Sequence, residues 1–138
     1  MDHRRLRKIA NVNRMTGLRR ASFCDNELTR IEGLEACTQL EELLLEENRI
    51  VKIERISTFV HLRKLDLGRN KLTKTDGLEE LTMLTELSLE DNEISELQGR
   101  ACATITVTIT VTITAPLLHH HRTITAPPPP QASHASPR

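Results

Sequence analysis

The chain has 138 residues, 19 basic and 19 acidic side chains, 38% apolar residues and two aromatics, both phenylalanine. A balanced charge argues against a generic binder of nucleic acid or acidic substrates, and so little aromatic bulk leaves leucine and isoleucine to supply any core. Cys24, Cys37 and Cys102 show no CxxC or other ligand spacing, and no run reaches the ~18 apolar residues of a membrane span.

The charges are unevenly placed along the chain. Residues 1–24 carry seven Lys/Arg against one Asp, whereas residues 25–99 carry nine basic against eighteen acidic side chains. The opening MDHRRLRKIANVNRM lacks the apolar stretch of a secretory leader, so an intracellular, cytoplasmic protein is expected, with ciliary or nuclear placement as alternatives. Arg4, Arg5, Arg7 and Lys8 interleave with no aromatics and read as a solvated face rather than a phosphate-binding patch.

From the first residues onward the chain repeats every 22 positions. Asn26, Asn48, Asn70 and Asn92 mark the step, and apolar columns follow it. Leu18, Leu40, Leu62 and Leu84 open the units; Ala21, Leu43, Leu65 and Leu87, then Phe23, Leu45, Leu67 and Leu89, come next. After the asparagine the apolar spacing changes from two to three, as in Ile50, Ile53, Ile56 and Phe59. Alternation predicts a strand with residues 43 and 45 facing inward and 44 outward, and the step of three predicts a short helical or 3₁₀ return. A unit this small cannot bury its inner face alone, so neighbours stack. Each asparagine is expected to satisfy backbone groups at the bend, since its amide offers donor and acceptor together. Gly33, Gly77 and Gly99 recur where a left-handed backbone would suit, and Arg55 takes that place in the third unit.

The pattern LxxLxLxxNxI, seen in LEELLLEENRI, with IEGL after the asparagine of the preceding unit, resembles the short, phosphatase-regulator-like class of leucine-rich repeat over residues 6–99. That resemblance implies an α/β leucine-rich repeat solenoid with parallel strands on a concave face, short helical or 3₁₀ returns, and binding of a protein partner on the strand-lined side. The expected array spans 1–99, with a partial first repeat and units starting near 18, 40, 62 and 84, uncapped at its N-terminus. It transfers no catalytic residue, and no cofactor or small-molecule substrate is expected. Candidate partner-binding residues are Arg20, Glu42, Leu44, Glu46, Lys64, Asp66, Arg69, Glu86, Ser88 and Glu90. Rows of alternating charge across these positions favour a partner of complementary charge, with Leu44 as a small apolar anchor.

Residues 100–138 read as a low-complexity, disordered tail. TITVTITVTIT repeats with period four, followed by His119 to His121 and Pro127 to Pro130. One simple DNA repeat accounts for both Thr-Ile-Thr and His-His when read in different frames. The adjacent histidines lack the spaced partners of a metal site. The 22-residue register nevertheless puts Ile109 and Val111 where Leu87 and Leu89 lie one unit earlier, so residues 104–113 are expected to add a last, improvised strand. Alternative functions are an adaptor within an RNA–protein particle and a truncated product with no activity of its own.

Overall fold

The computed structural model describes residues 1–95 in full, together with the backbone of residues 108–115 and 118–125. Four short strands follow the 22-residue step: β1 (Arg20–Ser22), β2 (Glu42–Leu44), β3 (Lys64–Asp66) and β4 (Glu86–Leu89). They pair in parallel, and the register sets Ala21, Leu43, Leu65 and Leu87 side by side. Two further strands, β5 (Thr108–Ala115) and β6 (Leu118–Thr125), complete a six-stranded sheet in chain order.

Strand β5 lies parallel to β4 with Ile109 opposite Leu87 and Val111 opposite Leu89, the register that the repeat period gives. Threonine alternating with isoleucine or valine over seven positions, all β-branched, suits such a strand. Strand β6 then turns back antiparallel to β5. Residues 104–107, Gly99 and Cys102 lie outside the described residues.

The core is the set of columns anticipated above. Leu28, Leu40, Leu43, Leu45, Ile50, Phe59, Leu62, Leu65, Leu67 and Leu72 are all fully buried, and Leu6 and Leu18 pack on the cluster half-buried at its N-terminal end. Stacking identical columns lets each unit bury the inner face that it cannot bury alone.

The returns differ from expectation: among the described residues they contain no helix, α or 3₁₀. They are strings of single turns. In the second unit Cys37 N–H donates to the Leu34 carbonyl at 2.9 Å, and Leu40 N–H to the Cys37 carbonyl at 3.2 Å. The third unit repeats this with Ile56, Phe59 and Leu62, the fourth with Leu78, Leu81 and Leu84. Each turn begins where the last one ends, so successive hydrogen bonds never overlap as a 3₁₀-helix requires. A step of three therefore marks which residue of each turn is buried, not a helical stretch.

Two columns take a left-handed backbone. Asn11, Gly33, Arg55 and Gly77 form one, with φ of 64°, 80°, 58° and 94°. His3, Asp25, Glu47, Arg69 and Asp91 form the other, immediately before each asparagine from Asn26 on where the last four are concerned. Glycine is required in practice at Gly33 and Gly77, because an added Cβ would stand 2.4 Å from the Ile9 carbonyl oxygen and 2.7 Å from that of Ile53.

Candidate protein-binding face

The face is held by the asparagines beneath its edge. Each is buried, between 3% and 7% exposed. Asn48 accepts a hydrogen bond from Leu28 N–H at 3.1 Å and donates to the carbonyls of Phe23, Leu45 and Glu46. Asn70 accepts from Ile50 N–H and donates to Leu45, Leu67 and Gly68; Asn92 accepts from Leu72 N–H and donates to Leu67, Leu89 and Glu90. Asn26 serves Arg4 and Leu6 in the same way, and donates to Met1, Phe23 and Cys24. Every asparagine thus ties its own bend to the preceding unit. The left-handed residue before it turns two carbonyls of the strand end toward one side-chain amide.

Above this frame the sheet presents its outward positions in rows. The first row runs Arg20, Glu42, Lys64, Glu86, set side by side by strand register. Arg20 pairs with Glu42 at 3.4 Å and Lys64 with Glu86 at 2.9 Å. The Glu86 hydrogen bond, helped by its charge, holds the Lys64 ammonium above its ordinary pKa. The next row runs Ser22, Leu44, Asp66, Ser88. Beyond it, Arg69 sits among Glu47, Glu46 and Asp91, pairing with all three, and its pKa is raised chiefly by the Glu47 hydrogen bond.

Alternating charge along these rows is therefore satisfied between neighbouring units. Arg19 with Glu41, Arg49 with Glu27 and Lys71 with Glu93 repeat the device outside the face. Exposed pairs of this kind add little stability. They do leave fewer charges for a partner than the sequence suggested. Among the described residues, Asp66 and Glu90 are the carboxylates of the candidate set without an ion pair. Ser88 lies one strand from Asp66, and Leu44 is partly exposed directly opposite it on the other side.

Two features of the face escaped the sequence reading. Gly68 is buried at an outward position where the neighbouring units place Glu46 and Glu90, so the surface dips there. A Cβ at Gly68 would touch Asp66 Oδ1 at 3.2 Å and Ser88 Oγ at 3.4 Å, and Asp66 already accepts the Gly68 N–H at 3.0 Å. At the N-terminal edge, Asp2 accepts hydrogen bonds from Ser22 Oγ and Cys24 N–H, which hold its carboxyl below the usual carboxylate range. Opposite-sign residues 22 positions apart would have revealed the pairs; nothing in the residue types marks Gly68 as a dip.

Cys24 lies on this face, half-buried, whereas Cys37 is fully buried in the return and burial raises its thiol pKa. No group of three or more potential metal ligands forms among the described residues. Among them, too, no helix is long and apolar enough to cross a membrane.

Residues 38–94 match the family model of the leucine rich repeat. The fold is a leucine-rich repeat solenoid. It is similar to that of an internalin, InlF, from Listeria monocytogenes (TM-score 0.62, 23% identity, 75% of this chain and 30% of that one). It is also similar to the functional domain of InlJ from Listeria monocytogenes, described as including a cysteine ladder (TM-score 0.61, 25% identity, 75% and 23%). A third similar structure is the leucine-rich repeat ectodomain of the receptor kinase SOBIR1 from Arabidopsis thaliana (TM-score 0.63, 25% identity, 80% and 66%). The chain spans less than two thirds of the length of each of these. No curated protein matches it. Leucine-rich repeat proteins typically mediate protein–protein interaction.

Proposed function

We propose that the chain is a non-catalytic scaffold whose strand-lined, concave face captures a protein partner around Leu44. The observation that carries this reading is the contrast within the face. Arg20, Glu42, Lys64, Glu86, Glu46 and Arg69 are engaged with one another, while Asp66 and Ser88 border the dip at Gly68, Leu44 stands opposite Asp66 in the strand register, and Glu90, without an ion pair, takes the matching position of the next unit. An apolar anchor inside a polar rim is the usual form of a binding hot spot. The fitting segment has an apolar side chain for Leu44 and a basic neighbour for Asp66 and Glu90.

The run from Leu18 to Glu54 is most like leucine-rich repeat-containing protein 9, and we take the phosphatase-regulator-like class as the source of relatives to test. A cytoplasmic setting suits Cys24 and Cys37, which are thiols in the structure. Neither a membrane, nor direct nucleic-acid binding, nor a small-molecule substrate is part of the proposal.

Leu44→Arg should weaken capture of the partner by about 1 to 3 kcal/mol, roughly five- to 150-fold in affinity, with the fold intact. Lys52→Glu, on the exposed return side, should leave capture unchanged. Quantitative pull-down with both variants, with far-ultraviolet circular dichroism as the control for folding, distinguishes them. Normal capture by Leu44→Arg with loss in Lys52→Glu would place the working face on the returns.

A further inference from the structure

We infer that the chain self-associates through β6, two copies pairing edge to edge and antiparallel about a twofold axis. Strand β6 closes the sheet order, and among the described residues it pairs with β5 alone. A strand with one neighbour leaves every second N–H and C=O directed outward along its length. In β6 that edge is eight residues long, LHHHRTIT, without proline or glycine and with one permanent charge, at Arg122. Proline, glycine and shortness, three of the devices that blunt an open edge, are missing from it.

The opposite end of the sheet is different. There the Met1 ammonium donates to the Ser22 carbonyl at 2.8 Å, His3 N–H donates to the Cys24 carbonyl at 3.2 Å, and Asp2 takes the Cys24 N–H at 2.9 Å. Edge groups of Ser22 and of Cys24 just beyond β1 are already engaged, so stacking β6 of one copy on β1 of the next has fewer bonds to gain. A β6–β6 contact also closes on itself, while a β6–β1 contact would run on as a fibre. Charge permits the closed form. Five strand spacings of about 4.8 Å separate the two β4 strands, roughly 24 Å, well beyond a screening length of about 8 Å, so the acidic bodies scarcely repel.

The histidines supply a control within the same strand. With the eight residues overlapped about the twofold axis, His121 stands opposite the copy's Arg122, and His119 and His120 opposite its Ile124 and Thr123; β5, TITVTITA, carries no titratable side chain, and Arg122 is the only other charge on β6. Like charges set side by side across strands oppose pairing, and imidazole gains its charge between about pH 8 and pH 5. The pair is therefore favoured at the alkaline end of that range and opposed at the acidic end.

Light scattering on the full chain from micromolar to near-millimolar concentration tests this. Near pH 8 the mass should rise from 15.7 kDa to twice that value and stop, and near pH 5 it should stay at 15.7 kDa. Amide exchange read at both ends of the concentration range should show alternate β6 amides slowed by roughly tenfold or more in the concentrated sample. A mass of 15.7 kDa throughout at pH 8 overturns the inference. So does a dimer whose β6 amides exchange as in the dilute sample, or a mass that climbs past twofold without limit, which would mean head-to-tail growth.

Discussion

The two sides of the solenoid are joined in different ways. On the strand-and-bend side, hydrogen bonds run from unit to unit: Phe23 N–H to the Leu44 carbonyl, Arg49 N–H to Leu28, Lys71 N–H to Ile50, and the asparagines between them. On the return side the bonds of each turn stay inside one unit, and the units meet through apolar side chains such as Ile56, Phe59 and Leu81. One side is zipped, the other packed. The zipped side can hold a binding surface in fixed register, which is where the candidate face lies. The packed side can accept a change of residue at its surface, as Arg55 in a glycine column shows.

The largest expected effect is on the packed side. Phe59→Ala removes the bulkiest fully buried side chain and should cost about 3 to 5 kcal/mol, read as a lower urea midpoint. Asn70→Ala should come next, at about 2 to 3 kcal/mol, because it leaves the buried Ile50 N–H without its acceptor and takes one of two donors from each of the Leu45, Leu67 and Gly68 carbonyls. A neutral Asn70→Ala would break the comparison, since the bend would then owe nothing to its cross-unit bonds.

Smaller effects come from the left-handed columns. Gly77→Ala should destabilise by about 1 to 3 kcal/mol, through its φ of 94° and the approach of its Cβ to the Ile53 carbonyl. Arg55→Gly should change stability by less than about 1 kcal/mol, relief of the left-handed backbone being offset by a freer unfolded chain and a lost contact with Glu35. Equal losses at the two sites would show that the column is set by something other than backbone conformation.

The smallest effect is a pH dependence at the N-terminal edge. Asp2 has a depressed pKa, held chiefly by the Ser22 hydroxyl, so its contribution is present above the unfolded carboxylate value near 4 and is lost as pH falls through the lower folded value. Asp2→Asn should remove that acid-limb dependence, seen as a flatter urea midpoint between about pH 5 and pH 2. An unchanged slope would mean that the edge gains nothing from this carboxylate.

Much of the zipped side was legible in the sequence because it is built from columns that one residue type fills. Asn26, Asn48, Asn70 and Asn92 cannot be exchanged for one another's neighbours without losing a donor or an acceptor, so chemistry and period agree. The left-handed column at Asp25, Glu47, Arg69 and Asp91 was not legible, since Glu and Arg carry no sign of that backbone and the strain is held by the asparagine that follows. The returns misled for a related reason. A period of three says which residues are buried, and both a 3₁₀-helix and a chain of separate turns bury every third one. On the face itself, alternating charge pointed outward to a partner, yet strand pairing places Arg20 beside Glu42 and Lys64 beside Glu86, where they meet each other first.

Native-state hydrogen exchange tests the zipped-and-packed account most directly. The amides of Leu28, Ile50 and Leu72, which donate to asparagine side chains of the following unit, should exchange only through global unfolding. The turn amides of Cys37, Phe59 and Leu81, bonded within their own units, should exchange at least about tenfold faster through local opening of the returns. Equal protection of the two sets, or faster exchange at Leu28, Ile50 and Leu72, would contradict the account.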